Sequence, residues 1–475
     1  MRTHENRRGW FDFLVSGLGT AAFATLASQD GKGRIMAGGR ETASPTVRAK
    51  RAIHICLIGG YSQVDSFDYK PALEKYHGKS IPGDAMPETF FGSGGLLCKS
   101  YWPFHQRGAS GLWVSDLFPN LANVVDYMTI IRSMVADSAN HTPAFLQQQS
   151  GFLTNGFPSL GSWLSFGLGK ITDTLPTFVV LPDRRSLPNG GASNWGSGFL
   201  PAEHQGVMLG GGSQPIRNLF AGSDIDARAD RDSFQMLEAL NHRHLEGREA
   251  NDLLVARLRS YQLAAQMQVS IPEVLDFADE TAATLQLYGT QHEATADCGR
   301  RCLLARRLLE RGVRFVQIFS GGCFGGEPRH GWDSHEDCQR DHAREAERID
   351  RPVAGLIQDL HQRGMLEDTL VVFTTEFGRT PFANAPPGQV NLGRDHNPEG
   401  FTVWMAGGGL RRGFAFGETD ELGWKAMSDK VSWPDFHATL LHLLGIDHEQ
   451  LTFYHNGIQR RLTNVHGQVL HQLLA

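Results

Sequence analysis

Six short apolar runs, rich in β-branched residues and spaced along most of the chain, constrain the fold more than any other feature. They are Ile53 to Ile58, Met128 to Ile131, Phe178 to Leu181, Val313 to Phe319, Leu370 to Phe373 and Thr402 to Met405. Runs of this length without polar alternation read as strands buried on both faces. Helical patterns precede two of them, Cys302 to Arg311 before the fourth run and Pro352 to Arg363 before the fifth. Strands alternating with helices predict an α/β domain with a mainly parallel sheet and helices on both faces. A chain of 475 residues has room for such a domain plus insertions. The charged helical pattern from about 230 to 311 is expected to be an excursion packed on that core, with one helix running from Pro272 into Arg311.

Other parts of the chain read differently. Arg7-Arg8-Gly9-Trp10-Phe11 is followed by an apolar stretch from Phe13 to Ala27 that closes on small residues. The order basic, apolar, small predicts a twin-arginine-type signal peptide over residues 1–28, and hence export through the machinery that carries folded proteins. Residues 29–50, polar and containing Gly31, Gly33, Gly38 and Gly39, predict a linker, so the folded domain is expected over 51–475. No later segment reaches 18 consecutive apolar residues, which predicts no transmembrane segment after signal removal. The formal net charge of −6 provides no basic excess to neutralise phosphates along a nucleic acid. The six cysteines are too few and too scattered for a disulfide scaffold or a zinc ribbon, and buried thiols are expected. The Gly-rich stretch Asn189 to Gly212, with Trp195 and Phe199, is read as a loop over a site.

In parallel α/β sheets, ligands bind beyond the carboxyl ends of the strands, so the residues just after each strand matter most. Here they are unusually polar. Asp65 and Asp68 follow the first strand and a Gly59-Gly60 turn, His141 follows the second, Asp333 and His335 the fourth, and Glu376 and Arg379 the fifth. Asp395 and His396 lie just before the sixth. Carboxylates and imidazoles delivered by separate loops to one edge are what a divalent-metal site needs, and Asp65, Asp333, His335, Glu376 and His396 are the expected ligands, with Asp68 and Asp395 beside them. Arg379 is expected to clamp an oxyanion, His141 to act as nucleophile or acid/base, and Thr142 to offer a nearby hydroxyl. His437 and His442, in an apolar helical stretch, are expected to be packing residues.

The segments Gly59 to Pro71, Gly331-Trp-Asp-Ser-His335, Glu376-Phe-Gly-Arg-Thr-Pro381, Gly393-Arg-Asp-His396 and Phe436 to Gly445 resemble those of the exported bacterial family called domain of unknown function 1501. The resemblance spans nearly the whole chain. That family is placed beside sulfatases and alkaline phosphatases, which implies an alkaline phosphatase-like three-layer fold and a metal site for zinc, calcium, magnesium or manganese. Counting back from Ser150-Gly151 to the superfamily's nucleophile position lands on His141, where sulfatases carry Cys-x-Pro-x-Arg and this chain reads His141-Thr142-Pro143-Ala144-Phe145. Where the superfamily has Asp-His or Asp-Asn, this chain has Glu376-Phe377. The expectation is a periplasmic or cell-surface, metal-dependent hydrolase of small-molecule or glycan sulfate or phosphate esters. The alternative is a non-catalytic, sulfatase-like binding protein that holds a carbohydrate or sulfated polymer through Trp195 and Phe199.

Overall fold

The computed structural model describes residues 49–81, 88–210, 227–246, 262, 267, 270–322 and 331–475. The expected signal peptide and all but the last two residues of the expected linker lie outside these residues, as does Cys323. Eight strands form the main sheet: β1 (Arg51–Leu57), β2 (Met128–Met134), β3 (Phe178–Leu181), β4 (Val207–Met208), β5 (Phe315–Ser320), β6 (Thr369–Thr375), β7 (Phe401–Gly407) and β8 (Phe414–Phe416). Their order is β8-β2-β7-β6-β1-β5-β3-β4. The five strands from β6 to β4 pair in parallel, whereas β7 runs antiparallel to both β6 and β2. All six apolar runs of the sequence are strands of this sheet, and the short strands β4 and β8 extend it at its two edges.

Alternation along the strands fills both faces. Ile53, Ile55 and Leu57 of β1 join one core with Leu303 and Leu308 of α4 (Ala296–Glu310) and Val353 and Leu360 of α5 (Cys338–Gln362). Ala52 and Cys56 face the other way, toward Phe145 of α1 (His141–Ser150), Trp163 of α2 (Leu160–Leu168) and Phe436 of α6 (Trp433–Leu443). The helix α3 (Ala227–Leu245) belongs to the excursion. The result is a helix–sheet–helix sandwich, as a parallel sheet requires when both its faces are apolar. Among the described residues no helix is long and apolar enough to cross a membrane.

Two helix expectations need correction. Sequence reading began a helix at Pro352, but α5 starts at Cys338 and passes through that proline. Pro352 removes one backbone donor, and the buried stripe of Ala346, Ile349, Val353, Leu356 and Leu360 offsets that loss. The helix expected from Pro272 into Arg311 is broken twice, at residues 276–281 before the short helix Ala282–Leu287 and again after it at Gly289, whose φ is 65°, and it resumes as α4.

Candidate metal centre

The polar residues meet at the carboxyl edge of β1, β5 and β6. Gly59 makes the turn after β1 at a φ of 115°, and a Cβ there would lie 2.3 Å from the backbone nitrogen of Asp333. Only glycine lets the two loops approach this closely. After β2, Asn140 caps the start of α1 by accepting a hydrogen bond from the Thr142 N–H, and His141 is the first helical residue. β7 runs antiparallel, so the residues before it, in the strand Arg394–Asn397, arrive at the same edge as those after the parallel strands.

Asp333 is the centre of the arrangement. Its Oδ1 lies 2.8 Å from His335 Nε2, 3.2 Å from His396 Nε2, 3.4 Å from His141 Nε2 and 2.7 Å from the Arg379 guanidinium. His141, Asp333 and His396 each place one ligand atom within 4.8 Å of the others, and so do His335, Asp395 and His396. His396 is therefore shared by two donor triads. Behind the first triad, His141 Nδ1–H donates to Glu376 Oε1 at 2.8 Å, and His396 Nδ1–H donates to the Ala139 carbonyl at 2.6 Å. Glu376 is itself held by the Gly59 N–H and the Thr375 hydroxyl.

The Ala139 carbonyl can only accept, so it fixes the His396 tautomer. With Nδ1 protonated and the ring neutral, the His396 Nε2 lone pair points at the Asp333 carboxylate, which is repulsive unless a cation or a proton lies between them. His141 Nε2 meets the same carboxylate as a hydrogen-bond partner. Burial alone would lower the His141 pKa, but its hydrogen bonds to Asp333 and Glu376 outweigh that and raise it to about 9. Burial pushes His396 down to about 3 and lowers His335. The Asp333 carboxyl sits far below the usual range because Arg379 and the imidazoles overcome its burial. A divalent cation fits this donor set. Ligand atoms about 2.0–2.1 Å from a tetrahedral ion sit about 3.3 Å apart, close to the separations around Asp333, and imidazoles tied by their other nitrogen to a carboxylate or carbonyl are the usual outer shell of metal-bound histidine.

The remaining expected site residues lie elsewhere or are otherwise engaged. Asp65 is fully buried against Arg394, whose Nε donates to it at 2.8 Å, and it is in neither triad. Asp68 is buried against Lys70 and the Thr419 hydroxyl. Glu376 supports His141 from behind. Arg379 is fully buried and donates to the carbonyls of Gly59, Gly60, Trp332 and Arg394 as well as to Asp333, so its geometry is that of a brace for the loops and not of an open anion clamp. Thr142 is exposed in the first turn of α1. His141, expected to act as nucleophile or acid/base, stands in a triad that could hold a metal ion.

Sequence reading missed the aromatic surround. Phe377 packs against His141 and His396 with ring centroids 4.9 and 4.4 Å away, which places an apolar wall beside both imidazoles. Phe90 stacks on His396 and Phe91 packs edge-on against His335, while the Phe91 N–H donates to Asp395. Nothing in the Phe90-Phe91 pair distinguishes it in sequence from an ordinary exposed turn. Trp195, assigned above to a loop over the site, is a core residue packed against Phe319. His437 is buried and hydrogen-bonded to the Gln148 carbonyl, and Cys56, Cys98, Cys298, Cys302 and Cys338 are buried free thiols.

The chain belongs to the family described as protein of unknown function (DUF1501), whose profile matches residues 49–474. Among solved structures it is similar to the PsFucS1 sulfatase from Pseudoalteromonas sp., at 12% identity and a TM-score of 0.36 over 94% of this chain and 73% of that one. It is also similar to the lipoteichoic acid synthase LtaP from Listeria monocytogenes, at 9% identity and a TM-score of 0.33 over 88% and 76% of the two chains. A TAB5 alkaline phosphatase mutant with Mg bound in its M3 site matches at 9% identity and a TM-score of 0.38, over 84% of this chain and 99% of that one. No protein of curated function matches the sequence.

Proposed function

We propose that this member of the DUF1501 family is an exported, metal-dependent hydrolase of sulfate or phosphate esters. The observation that carries the reading is the pair of inward-facing imidazoles, His141 and His396, set around Asp333 by outer hydrogen bonds to Glu376 and Ala139. His141, Asp333 and His396 would hold one divalent ion, and His335 and Asp395 extend the donor set around the shared His396. An ion held there supplies Lewis-acid polarisation of the ester oxygens. The chain contributes the rest. Glu376 keeps the His141 proton on Nδ1 and its ring in one orientation. The first turn of α1 brings the positive end of a helix dipole to the same edge, which favours an anionic ester. Phe90, Phe91 and Phe377 shield the imidazoles from water on their aromatic sides. Residues 1–28 would direct the chain out of the cytoplasm, a reading supported by Arg7-Arg8 and the apolar stretch after them.

One observation favours a second reading, a binding protein without turnover. The Arg379 guanidinium, the group suited to an oxyanion, is committed to protein acceptors. The deciding experiment is a screen of metal-loaded protein against aryl sulfates, phosphate monoesters and phosphodiesters, with His141→Ala and Asp333→Ala alongside. The hydrolase reading expects one ester class to be turned over and both variants to lose at least about a hundredfold. No cleavage of any class, together with a rise in melting temperature on adding a sulfated glycan, favours the binding protein. Turnover indifferent to both substitutions rejects the site.

A further inference from the structure

On the same edge as the metal donors, between the ends of β5 and β3, lies a separate cavity of about 350 Å³. Its floor is Ser320, the last residue of β5, together with Arg301 of α4. Its walls are the Asp183-Arg184-Arg185 turn after β3, the first turns of α4 and the middle of α5 at Arg348. The carboxyl edge of parallel strands is where ligands bind in such sheets, and the N-terminus of the fifteen-residue helix α4 opens on this cavity.

The polar groups of the floor are incompletely used. Ser320 is 1% exposed and its hydroxyl has no hydrogen-bond partner among the described residues. Arg301 is 9% exposed, and its Nε is likewise unpartnered although its terminal nitrogens reach the Phe319 carbonyl and Asp297. A buried donor left without a partner costs free energy, so the floor favours an occupant that accepts hydrogen bonds. The charge balance points the same way. Arg184, Arg185, Arg301 and Arg348 line the cavity. The carboxylates they meet are Asp183, Asp297 and, behind the wall, Glu345, which leaves one guanidinium charge over. Arg185 is locked between Asp183 and Glu345, whereas Arg184, whose side chain is 61% exposed, stands at the rim 3.8 Å from Asp297 and is able to turn toward a ligand.

We propose that this cavity binds a small anionic molecule through a carboxylate, phosphate or sulfate group seated on Ser320 and Arg301 and closed over by Arg184 and Arg348. The volume exceeds that of a lone oxyanion and suits a sugar acid or a sulfated sugar, either free or as one unit of an acidic polymer. The site is independent of the proposed hydrolase chemistry.

The test is calorimetric titration of the purified full chain with inorganic phosphate, glucuronate and a sulfated disaccharide, each at matched ionic strength, followed by a sulfated monosaccharide and a longer sulfated oligosaccharide. At least one of the three is expected to bind, with the sugar-bearing ligands tighter than phosphate. The double variant Arg184→Ala/Arg348→Ala should raise the Kd at least about tenfold. Ser320→Ala, a smaller change at the floor, should weaken binding too and serves if the double variant fails to fold. Asp333→Asn should leave the Kd unchanged. Equal binding by mono- and oligosaccharide forms would assign a free small molecule, and tighter binding of a longer sulfated oligosaccharide would assign a polymer unit. The proposal is overturned if none of the ligands binds, if binding survives both the arginine and the serine changes, or if Asp333→Asn weakens it as much as they do.

Discussion

Asp65 and Asp333 each follow a strand of the same sheet, and their surroundings give them different work. Asp65 neutralises Arg394, and both side chains are fully buried. Asp333 faces three imidazoles and one guanidinium. Asp65→Asn is therefore expected to leave a buried arginine unpaired and to cost about 3–5 kcal/mol in chemical denaturation, with metal content unchanged. Glu376→Gln should do the reverse. The fold tolerates it, but His141 loses its carboxylate partner, and metal affinity measured by competition with a chelator should fall about 10–100-fold. Equal effects of the two substitutions on metal affinity would mean that the donor set is drawn wrongly. These roles were not legible in the sequence, which places carboxylates after strands but says nothing of which way each side chain points. Asp65 meets Arg394 across 329 residues and His141 meets Glu376 across 235.

At the scale of elements, the turns matter as much as the strands they follow. Gly59 has a φ of 115°, and Gly393 passes so close to the His335 carbonyl that a Cβ would overlap it. Gly59→Ala combines a disfavoured backbone conformation with a collision against Asp333, and is expected to cost about 2–4 kcal/mol. Because the clash falls on a proposed metal donor, metal affinity should drop in the same variant, whereas Gly364→Ala, at a turn with open space around it, should lower stability without changing metal affinity. Urea denaturation and metal titration of the two variants check this. The sequence carried the strands well because apolar runs buried on both faces have few other structures open to them. Helix limits were harder to read, as α5 shows: its amphipathic stripe carries it through Pro352, a residue that local preference places at a helix start.

For the whole molecule, the helix–sheet–helix layering was legible from strand and helix alternation, and the convergence at one edge followed from it. The antiparallel entry of β7 was not, since nothing local marks direction, yet it is what returns Asp395 and His396 to that edge. Global stability should carry a signature of the buried polar layer between sheet and helices. Burial lowers His54 to about 3 and His437 to about 4, so the unfolded chain takes up these protons first as pH falls. Their stabilising contribution is fully present above about pH 6.5 and is lost progressively toward pH 4 for His437 and pH 3 for His54. His437→Asn, which cannot take up that proton, should flatten the dependence of unfolding free energy on pH by up to ~1.4 kcal/mol per unit between pH 4 and 6.5. An unchanged slope would mean that His437 takes up its proton as readily in the folded chain as in the unfolded one. The central claim, that His141, Asp333 and His396 hold a divalent cation, is tested most directly by elemental analysis of protein purified without chelators, beside Asp333→Asn. The account predicts a divalent ion at a fixed ratio in the native chain, its loss in the variant, and a metal-dependent rise in melting temperature in the native chain only. A native chain that stays metal-free after incubation with zinc, magnesium, manganese and calcium, with no shift in melting temperature, would contradict it.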